Sequence, residues 1–239
     1  HYSLYDARAN DRQLISAWSI KGMYHYSVEW VVCRVVQKVL LDTRAHARFI
    51  EDLFYLERGA CASIPVGAHE EKLRSFLQQY PGNQEKKQGS FIVSFHGKYI
   101  PLQGVQYIVD AAKILEHDLR FSFVLIGSGQ TYTSVRAHAD TLRCTNISFL
   151  PRVPYAHIPG YITSAHVSLG IFGGTGKSQR VIPNKLYEAV ALGVPVITED
   201  SPAVKEIFTD GVDMVFCRPG NGEDLARVIR DLADHEEKR

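Results

Sequence analysis

Residues 168–199 have the sequence SLGIFGGTGKSQRVIPNKLYEAVALGVPVITE, in which two apolar runs enclose a glycine-rich turn and a helical pattern. Pro183 suits a helix start, because the backbone N–H that proline lacks would be unpaired there anyway. Gly193 suits the left-handed position just past a helix end. We therefore predict a helix over Pro183–Leu192, framed by two buried strands.

Lys185 and Glu188 share one face near the start of this helix, because residues three apart are neighbours on a helix. Backbone N–H groups point outward at a helix start and attract anions. Three glycines precede the helix, and Lys177, Arg180 and Lys185 flank it. This pattern predicts a pocket for a diphosphate, with Glu188 accepting hydrogen bonds from sugar or ribose hydroxyls. An ordinary surface pair between Lys185 and Glu188 is the alternative interpretation.

Two other nucleotide sites are disfavoured by the glycine spacing. The run Gly174-Thr-Gly-Lys-Ser178 is similar to a P-loop, but Ile171 stands where the P-loop needs its first glycine. Gly127-Ser-Gly129 lacks the third glycine of a dinucleotide fingerprint, and no acidic ribose ligand follows the next strand. A tight strand-to-helix turn is the favoured interpretation of that pair.

Short apolar runs alternate with helical patterns from Ser90 onward. The predicted strands are Phe91–Phe95, Phe121–Ile126, Ile147–Leu150, Val167–Phe172, Val194–Thr198 and Met214–Cys217. The predicted helices are Val105–Glu116, Thr131–Leu142, Ala156–Thr163, Pro183–Leu192, Ala203–Phe208 and Glu223–Ala233. Continuous apolar runs indicate strands buried on both faces, and the helices between them require crossover connections. The predicted fold class is therefore α/β, with a doubly wound, parallel, Rossmann-like sheet.

Ligands of such sheets bind beyond the carboxyl ends of the strands, where glycine-rich turns lead into helices. The turn His96-Gly97-Lys98 follows the first predicted strand, so a cation there reaches the same cleft as Lys185. Surface positions for His96 and Lys98 are the alternative.

The first eighty residues predict an incomplete Rossmann-like domain. The expected helices are Asp11–Ile20, Tyr24–Gln37 and Thr43–Glu57, and the expected strands are Lys38–Asp42 and Cys61–Ile64. These few elements leave apolar faces uncovered, which indicates that part of the domain lies N-terminal to the chain. The polar, breaker-rich stretch after Tyr80 sets the boundaries. We predict a first domain over 1–82, a linker over 83–89 and a second domain over 90–239.

Composition excludes several classes of protein. The 239 residues carry a formal charge of +1, with basic residues scattered along the chain, so no nucleic-acid surface is indicated. No run is long and apolar enough to span a membrane, and no signal peptide is visible. The four cysteines are far apart, which favours free thiols in a reducing compartment over zinc or disulfides. We therefore expect a cytoplasmic protein, although the first residue, His1, indicates an internal piece of a longer chain.

Several of these stretches together resemble a known family. They are Phe-His-Gly-Lys followed by Gln103-Gly104, Val-Leu-Ile-Gly-Ser-Gly-Gln, Ile-Ser-Phe-Leu-Pro-Arg-Val-Pro, and Pro-Asn-Lys-Leu-Tyr-Glu-Ala-Val-Ala-Leu-Gly-Val-Pro-Val-Ile-Thr. Residues 90 to about 235 resemble the donor-binding domain of family 4 glycosyltransferases of the GT-B fold. Residues 21–68 resemble the tail of that family's N-terminal domain, through Val-Leu-Leu-Asp-Thr-Arg-Ala-His-Ala-Arg-Phe and Ile-Pro-Val-Gly-Ala.

The resemblance implies that 1–82 is the C-terminal part of an acceptor-side Rossmann-like domain and that 90–239 is the donor-binding domain. It also implies roles for individual residues. Of the family's two glutamates, the second matches Glu188, which would bind the ribose, whereas the first is replaced by Arg180. The family's cations in the first loop match Lys98 and Gln103, so one positive charge is lost there. The segment at Arg152 and Val153 matches the place where the nucleotide base docks on backbone groups.

The candidate site follows from the helix start, the glycine turns and the resemblance together. The catalytic candidates are Lys98, Arg180 and Lys185. The donor-binding candidates are Gly97, Val153, Gly174, Thr175, Gly176, Pro183, Asn184 and Glu188. We expect no metal, because no Asp-x-Asp occurs, and no cofactor, since the nucleoside-diphosphate sugar is a substrate.

The resemblance implies transfer of a sugar with retention of configuration. Expected partners are a nucleotide sugar and a sugar, lipid-linked or glycan acceptor, with peripheral membrane association left open. One alternative is a non-catalytic nucleotide-sugar-binding or accessory fragment, and another is a GT-B epimerase or phosphorylase. His157 and His166 are interpreted as structural residues.

Overall fold

The computed structural model describes residues 3–79 and 89–239. The chain divides into two compact units between Val66 and Gly67, with two later segments, Thr175–Ile182 and Ser201–Ile207, joining the first unit. Of the predicted linker 83–89, only Gly89 lies within the described residues. The domain limits drawn from the sequence stay a prediction.

The second unit contains one six-stranded parallel sheet, as predicted. Its strands are β3 (Phe91–Lys98), β4 (Phe121–Ser128), β5 (Ile147–Leu150), β6 (Val167–Leu169), β7 (Val196–Glu199) and β8 (Val215–Cys217). Their order in the sheet is β5-β4-β3-β6-β7-β8. Strands β4 and β5 are added on one side of β3, and β6, β7 and β8 on the other, so the strand order reverses between β3 and β6. All five pairings are parallel. The carboxyl ends of the central strands at such a reversal are where open α/β sheets bind ligands.

This unit also contains helices. They are α3 (Glu70–Gln79), α4 (Val105–Leu115), α5 (Tyr132–Thr141), α6 (Ile158–Ser164), α7 (Asn184–Ala191) and α8 (Gly222–Asp234). Helices α4, α5 and α8 bury apolar residues in the core of the sheet. Helix α3 was not predicted. The helix predicted over Ala203–Phe208 is only a 3₁₀ turn, Val204–Glu206. Phe95, Phe123 and Leu125 are completely buried in the core of this unit.

Helix α7 differs by one residue at each end from the predicted Pro183–Leu192. Pro183 has an extended ψ of 144° and precedes the helix as its cap residue. Gly193 has φ 68°, so it adopts the predicted left-handed conformation just after the helix. Gly193 therefore ends the helix in a conformation that glycine adopts at low cost.

The first unit has two short parallel strands, β1 (Val39–Leu41) and β2 (Cys61–Ser63), with helices α1 (Ile20–Val35) and α2 (Arg44–Leu53). Thr43 caps α2, because its hydroxyl accepts a hydrogen bond from the His46 N–H at 3.0 Å. Ile50 and Phe54 form the centre of a small apolar core. This unit contains the two strands predicted from the sequence.

One expectation for the first unit is wrong. Residues 12–19 are not helical, and Gln13 has φ 50°, which interrupts a helix; a π-helix at Asp6–Asp11 precedes them instead. The apolar face of α1 is exposed, which agrees with the expectation that this part of the chain leaves apolar faces uncovered. The buried residues of α1 are Gly22, Glu29 and Cys33. Glu29 accepts from the Ser3 hydroxyl at 2.6 Å, so this face is fixed partly by a polar contact that apolar periodicity does not reveal.

Candidate nucleotide-sugar site

Two neighbouring strands of the second unit end in glycine turns that lie against each other. Gly97 pairs with Gly127, and Lys98 pairs with Ser128, where β3 and β4 end. A Cβ on Gly127 would lie 1.9 Å from the Gly97 carbonyl oxygen, so no larger residue fits this backbone. An open space lies beyond the carboxyl ends of β3 and β4.

That space is a cleft of about 420 Å³. It contains the predicted residues Gly97, Lys98 and Val153, and it is lined by His96, Gly97, Lys98, Ile126, Gly127, Ser128, Gly129, Arg152, Val153, Tyr155 and Ile158. The volume falls within the range of small-ligand sites. The turn pair Gly127 and Gly129 thus belongs to the cleft wall, which its interpretation as a plain turn did not include.

Glu188, on the second turn of α7, is held by two residues of this cleft. The Tyr155 hydroxyl donates to Glu188 Oε1 at 2.8 Å, and His96 Nε2 lies 3.3 Å from Oε2. Burial favours a protonated carboxyl, but the hydrogen bonds from His96 and Tyr155 outweigh it and lower the pKa of Glu188. Burial also lowers the pKa of His96, more than its bond to Glu188 raises it. The arrangement is therefore a carboxylate beside a neutral imidazole, with acceptor capacity left for further donors.

Lys185 lies one turn earlier on α7 and is buried, at 7% exposure. Its Nζ donates to Gln103 Oε1 at 2.6 Å and lies 3.8 Å from the centre of the Phe95 ring. A Cβ added at Gly97 would lie 3.4 Å from Nζ, which places the amine directly under the turn of the cleft. Burial lowers the pKa of Lys185 well below its ordinary value, and the charge of Glu188 opposes that shift only in part. The structure thus brings Gly97, Lys185 and Glu188 together, as the sequence predicted.

The remaining predicted residues lie on the segment between β6 and α7. The Gly174 N–H donates to Glu199 Oε2 at 2.8 Å, within the second unit. Thr175, Gly176 and Arg180 belong to the first unit. Pro183 and Asn184 lead into α7. The assignment of these residues to a donor site stays a prediction.

Arg180 makes its observed contacts inside the first unit. Its Nη2 lies 3.0 Å from Asp6 Oδ1, and its guanidinium lies 3.5 Å from the centre of the Phe49 ring. Lys177 Nζ lies 3.3 Å from the other oxygen of the same carboxylate. The Thr43 hydroxyl also donates to the Arg180 carbonyl oxygen. One fully buried aspartate therefore anchors both cations of the Thr175–Ile182 segment.

Replacing Arg180 by alanine is expected to destabilise the protein. Breaking a buried ion pair costs about 3–5 kcal/mol, and the loss is expected below that range because Lys177 still faces Asp6. Urea unfolding measures the change, with the exposed Lys21→Ala as control. From the sequence we also expect Arg180→Ala to bind nucleotide much more weakly than the wild type. An unchanged nucleotide affinity in this variant would remove Arg180 from the donor site.

Tyr155 is a site residue that the sequence did not single out. No spacing rule marks it, because its partner Glu188 is 33 residues away. His166, in contrast, lies at the amino end of β3, where its Nδ1 accepts from the Ile92 N–H at 2.9 Å and its ring stacks on Phe91. His166 is therefore remote from the cleft, in agreement with its interpretation as structural.

The variant Tyr155→Phe is expected to weaken donor binding while keeping the fold. A hydrogen bond to a charged group contributes about 1.5–3 kcal/mol, and the phenylalanine ring keeps the cleft wall. Titration calorimetry measures the affinity, with Tyr24→Phe as control because Tyr24 is exposed in the first unit. Affinity equal to that of the wild type would show that the hydroxyl does not prepare Glu188 for the ligand.

The described part of the chain lacks two other kinds of feature. Within 3–79 and 89–239, no three His, Cys, Asp or Glu side chains are grouped as a metal site would need. In the same ranges, no helix combines the length and apolarity required to cross a membrane. All four cysteines have free thiols.

Comparison with known proteins identifies relatives of this chain. The model of the family "Glycosyl transferases group 1" matches residues 78–239. An uncharacterized glycosyltransferase of Methanocaldococcus jannaschii is 26% identical over 152 residues, which cover 61% of this chain and 39% of that protein.

Solved structures give the same architecture. Anabaena HepE, in complex with UDP and glucose, matches with a TM-score of 0.71 at 15% identity, over 90% of this chain and 58% of HepE. WaaG, a glycosyltransferase involved in lipopolysaccharide biosynthesis, matches with a TM-score of 0.69 at 16% identity, over 93% of this chain and 61% of WaaG. The chain thus spans 39% of the curated relative and about three fifths of these structures. The α/β fold is of the GT-B type, and the chain belongs to the group 1 glycosyltransferases.

Proposed function

We propose that the cleft at the ends of β3 and β4 binds a nucleoside-diphosphate sugar, and that the whole protein transfers the sugar to an acceptor. One observation carries the proposal: a buried lysine that has no acidic partner among the described residues lies beside a glycine turn and one helical turn from a carboxylate held by two donors. A diphosphate next to ribose hydroxyls supplies the missing anion and the missing donors at this spacing.

Each part of the ligand has a proposed partner in the second unit. The diphosphate contacts Lys98, Lys185 and the backbone at Gly97 and the start of α7, where the helix dipole favours anions. Gly174 also stays assigned to the donor from the sequence, although its N–H donates to Glu199 in the structure. The ribose hydroxyls donate to Glu188. The base docks on the backbone at Val153. Thr175, Gly176 and Arg180 keep their sequence-based assignment to the donor as predictions of their own.

The proposed chemistry needs positive charge where the leaving diphosphate develops negative charge. The bond between the anomeric carbon and the diphosphate oxygen breaks, the acceptor hydroxyl oxygen bonds to that carbon on the same face of the sugar, as the family resemblance implies, and the hydroxyl proton passes to the departing diphosphate. Lys98 and Lys185 stabilise the leaving group, and a preorganised group of this kind contributes about 2.7–4 kcal/mol. We propose that these cations make a metal ion unnecessary. Donor binding that requires a divalent metal and is lost on adding EDTA would contradict that part.

Two observations on relatives support the ligand class. HepE binds UDP and glucose in one structure and UDP-glucose in another. TarM of S. aureus, matched with a TM-score of 0.68 at 13% identity over 93% of this chain and 42% of TarM, was solved with UDP and α-GlcNAc-glycerol. From these relatives the proposal takes only the ligand class. From the sequence and the family resemblance we also propose a sugar, lipid-linked or glycan acceptor, peripheral membrane association and a cytoplasmic location.

A thermal-shift titration tests the donor site first. The chain is titrated with UDP, ADP, GDP and their sugars, with and without EDTA, and compared with Lys185→Ala and Glu188→Ala. A ligand that binds only the folded state adds about 2.7 kcal/mol at one hundred times its dissociation constant. We expect one nucleotide to stabilise the wild type and both variants to lose the effect. Absence of stabilisation by every nucleotide at millimolar concentration would overturn the proposal for this chain.

A further inference from the structure

Gln103 is fixed by its backbone on both sides. It ends the 3₁₀ turn Pro101–Gln103, where its N–H donates to the Ile100 carbonyl at 2.9 Å and its carbonyl accepts from the Phe172 N–H at 3.1 Å. The residue is 9% exposed. Its side chain therefore has little freedom, and its amide oxygen meets Lys185 Nζ at 2.6 Å.

The Lys185 amine has an orientation but no counterion. Gln103 Oε1 accepts its hydrogen bond on one side, and the Phe95 ring lies 3.8 Å away on another. Among the residues that the structure describes, no carboxylate is within ion-pair distance of Nζ. An ammonium has three donors, so donors remain that the amide oxygen does not use.

Gln103 carries no charge, and this affects how well Lys185 can bind an anion. A carboxylate at this point would hold the ammonium in place equally well, but it would neutralise the charge and repel an incoming anion. An amide oxygen aligns the amine and adds no negative charge that would repel the ligand. An amine aligned in advance forms charge-assisted hydrogen bonds to a phosphate at a lower entropic cost once it is protonated.

We propose that Gln103 is a positioning residue for the diphosphate of the sugar donor, acting through Lys185: it orients Nζ beneath Gly97 without neutralising it. This inference rests on the proposed function of the same cleft. Gln103 itself does not contact the reacting atoms.

The number of protons taken up when the ligand binds provides a test of this proposal. The titratable groups facing Lys185 are Glu188 on its own helix and His96 on β3, and burial lowers the pKa of Lys185 more than Glu188 raises it. A diphosphate beside Nζ favours the ammonium, so the free site takes up protons when the ligand binds. A nucleotide sugar is the suitable probe, because its phosphates do not titrate near neutral pH.

The test uses Gln103→Glu and Gln103→Met, with Gln78→Glu as the control. Gln78 is exposed on α3, and its replacement adds the same charge away from the cleft. The probe is whichever of UDP-glucose, ADP-glucose and GDP-mannose binds the wild type most tightly. Calorimetry in two buffers of different ionisation enthalpy gives affinity and proton uptake together.

We expect the wild type to take up protons on binding and Gln103→Glu to bind at least tenfold more weakly with the uptake abolished. Gln103→Met keeps the uptake but loses affinity, because Nζ is no longer aligned. If Gln103→Glu does not fold, the affinity of Gln103→Met alone tests the proposal.

Wild-type affinity in both Gln103 variants, or in Gln103→Met alone when Gln103→Glu does not fold, would overturn this inference and leave the proposed function intact. Binding of none of the three probes to the wild type would instead overturn the proposed function, and this inference with it.

Discussion

Replacing Lys185 by methionine is expected to lower donor turnover by a factor of about 100 to 1000 and to raise the stability of the fold at the same time. The loss in rate is the usual effect of removing one preorganised group that stabilises developing charge. The gain in stability follows because methionine fills the buried space over Phe95 without requiring a charge to leave water.

The gain in stability from Lys185→Met is expected to depend on pH. Burial lowers the folded-state pKa of Lys185 below the ordinary value of 10.5, so between those two values the unfolded chain binds more protons than the folded one. The stability of the wild type therefore rises with pH through that window. The advantage of Lys185→Met over the wild type should shrink accordingly as the pH rises from 7 to 10.

Thermal unfolding at both pH values and steady-state kinetics with the tightest donor measure the two effects. Lys21→Met is the control, because Lys21 is exposed on α1. A variant that loses stability and activity together would indicate a structural lysine instead.

Replacing Glu188 by alanine is the second large effect that we expect. It removes the acceptor of the Tyr155 hydroxyl and of His96, together with the proposed partner of the ribose. At about 1.5–3 kcal/mol for a hydrogen bond to a charged group, donor affinity falls by a factor of about 10 to 100.

Glu188 also stabilises the fold, and this contribution depends on pH. Its folded-state pKa lies below the ordinary 4.5, since the bonds from His96 and Tyr155 outweigh burial. The contribution is therefore present above about pH 4.5 and is lost as the pH falls through the lowered folded-state pKa. Titration calorimetry and acid unfolding of Glu188→Ala measure both effects, with the exposed Glu223→Gln as control. Unchanged donor affinity would exclude Glu188 from the ligand site.

The sequence predicted those parts of the molecule that depend on local pattern. Apolar runs and intervening helices predicted every strand of the six-stranded sheet, because strands buried on both faces have continuous apolar sequences. The i,i+3 spacing predicted that Lys185 and Glu188 share one face of the helix, and in the structure the charge of Glu188 acts on Lys185. The first unit was predicted less well, since the buried face of α1 is fixed partly by Glu29, a polar residue.

Contacts between distant residues could not be predicted in the same way. Gln103 and Lys185 are 82 residues apart, and Asp6 and Arg180 are 174 apart. A single sequence carries no signal for such pairs, because charge and size alone do not select one partner among many. The loss of a cation at Gln103 was visible in the sequence, but the meeting of Lys185 with that same side chain required the structure.

The strand order also affects how the chain emerges from the ribosome. Strand β3 pairs with β4 on one side and with β6 on the other, and 74 residues separate Ile92 of β3 from its partner His166 before β6. At a synthesis rate of about 5–20 residues per second, the β6 side of β3 stays open for roughly 4–15 s. The nascent chain thus presents an unpaired edge containing Val93, Ser94 and Phe95, which is a surface for chaperones or for aggregation. Slower translation between β5 and β6 should therefore lower the soluble yield.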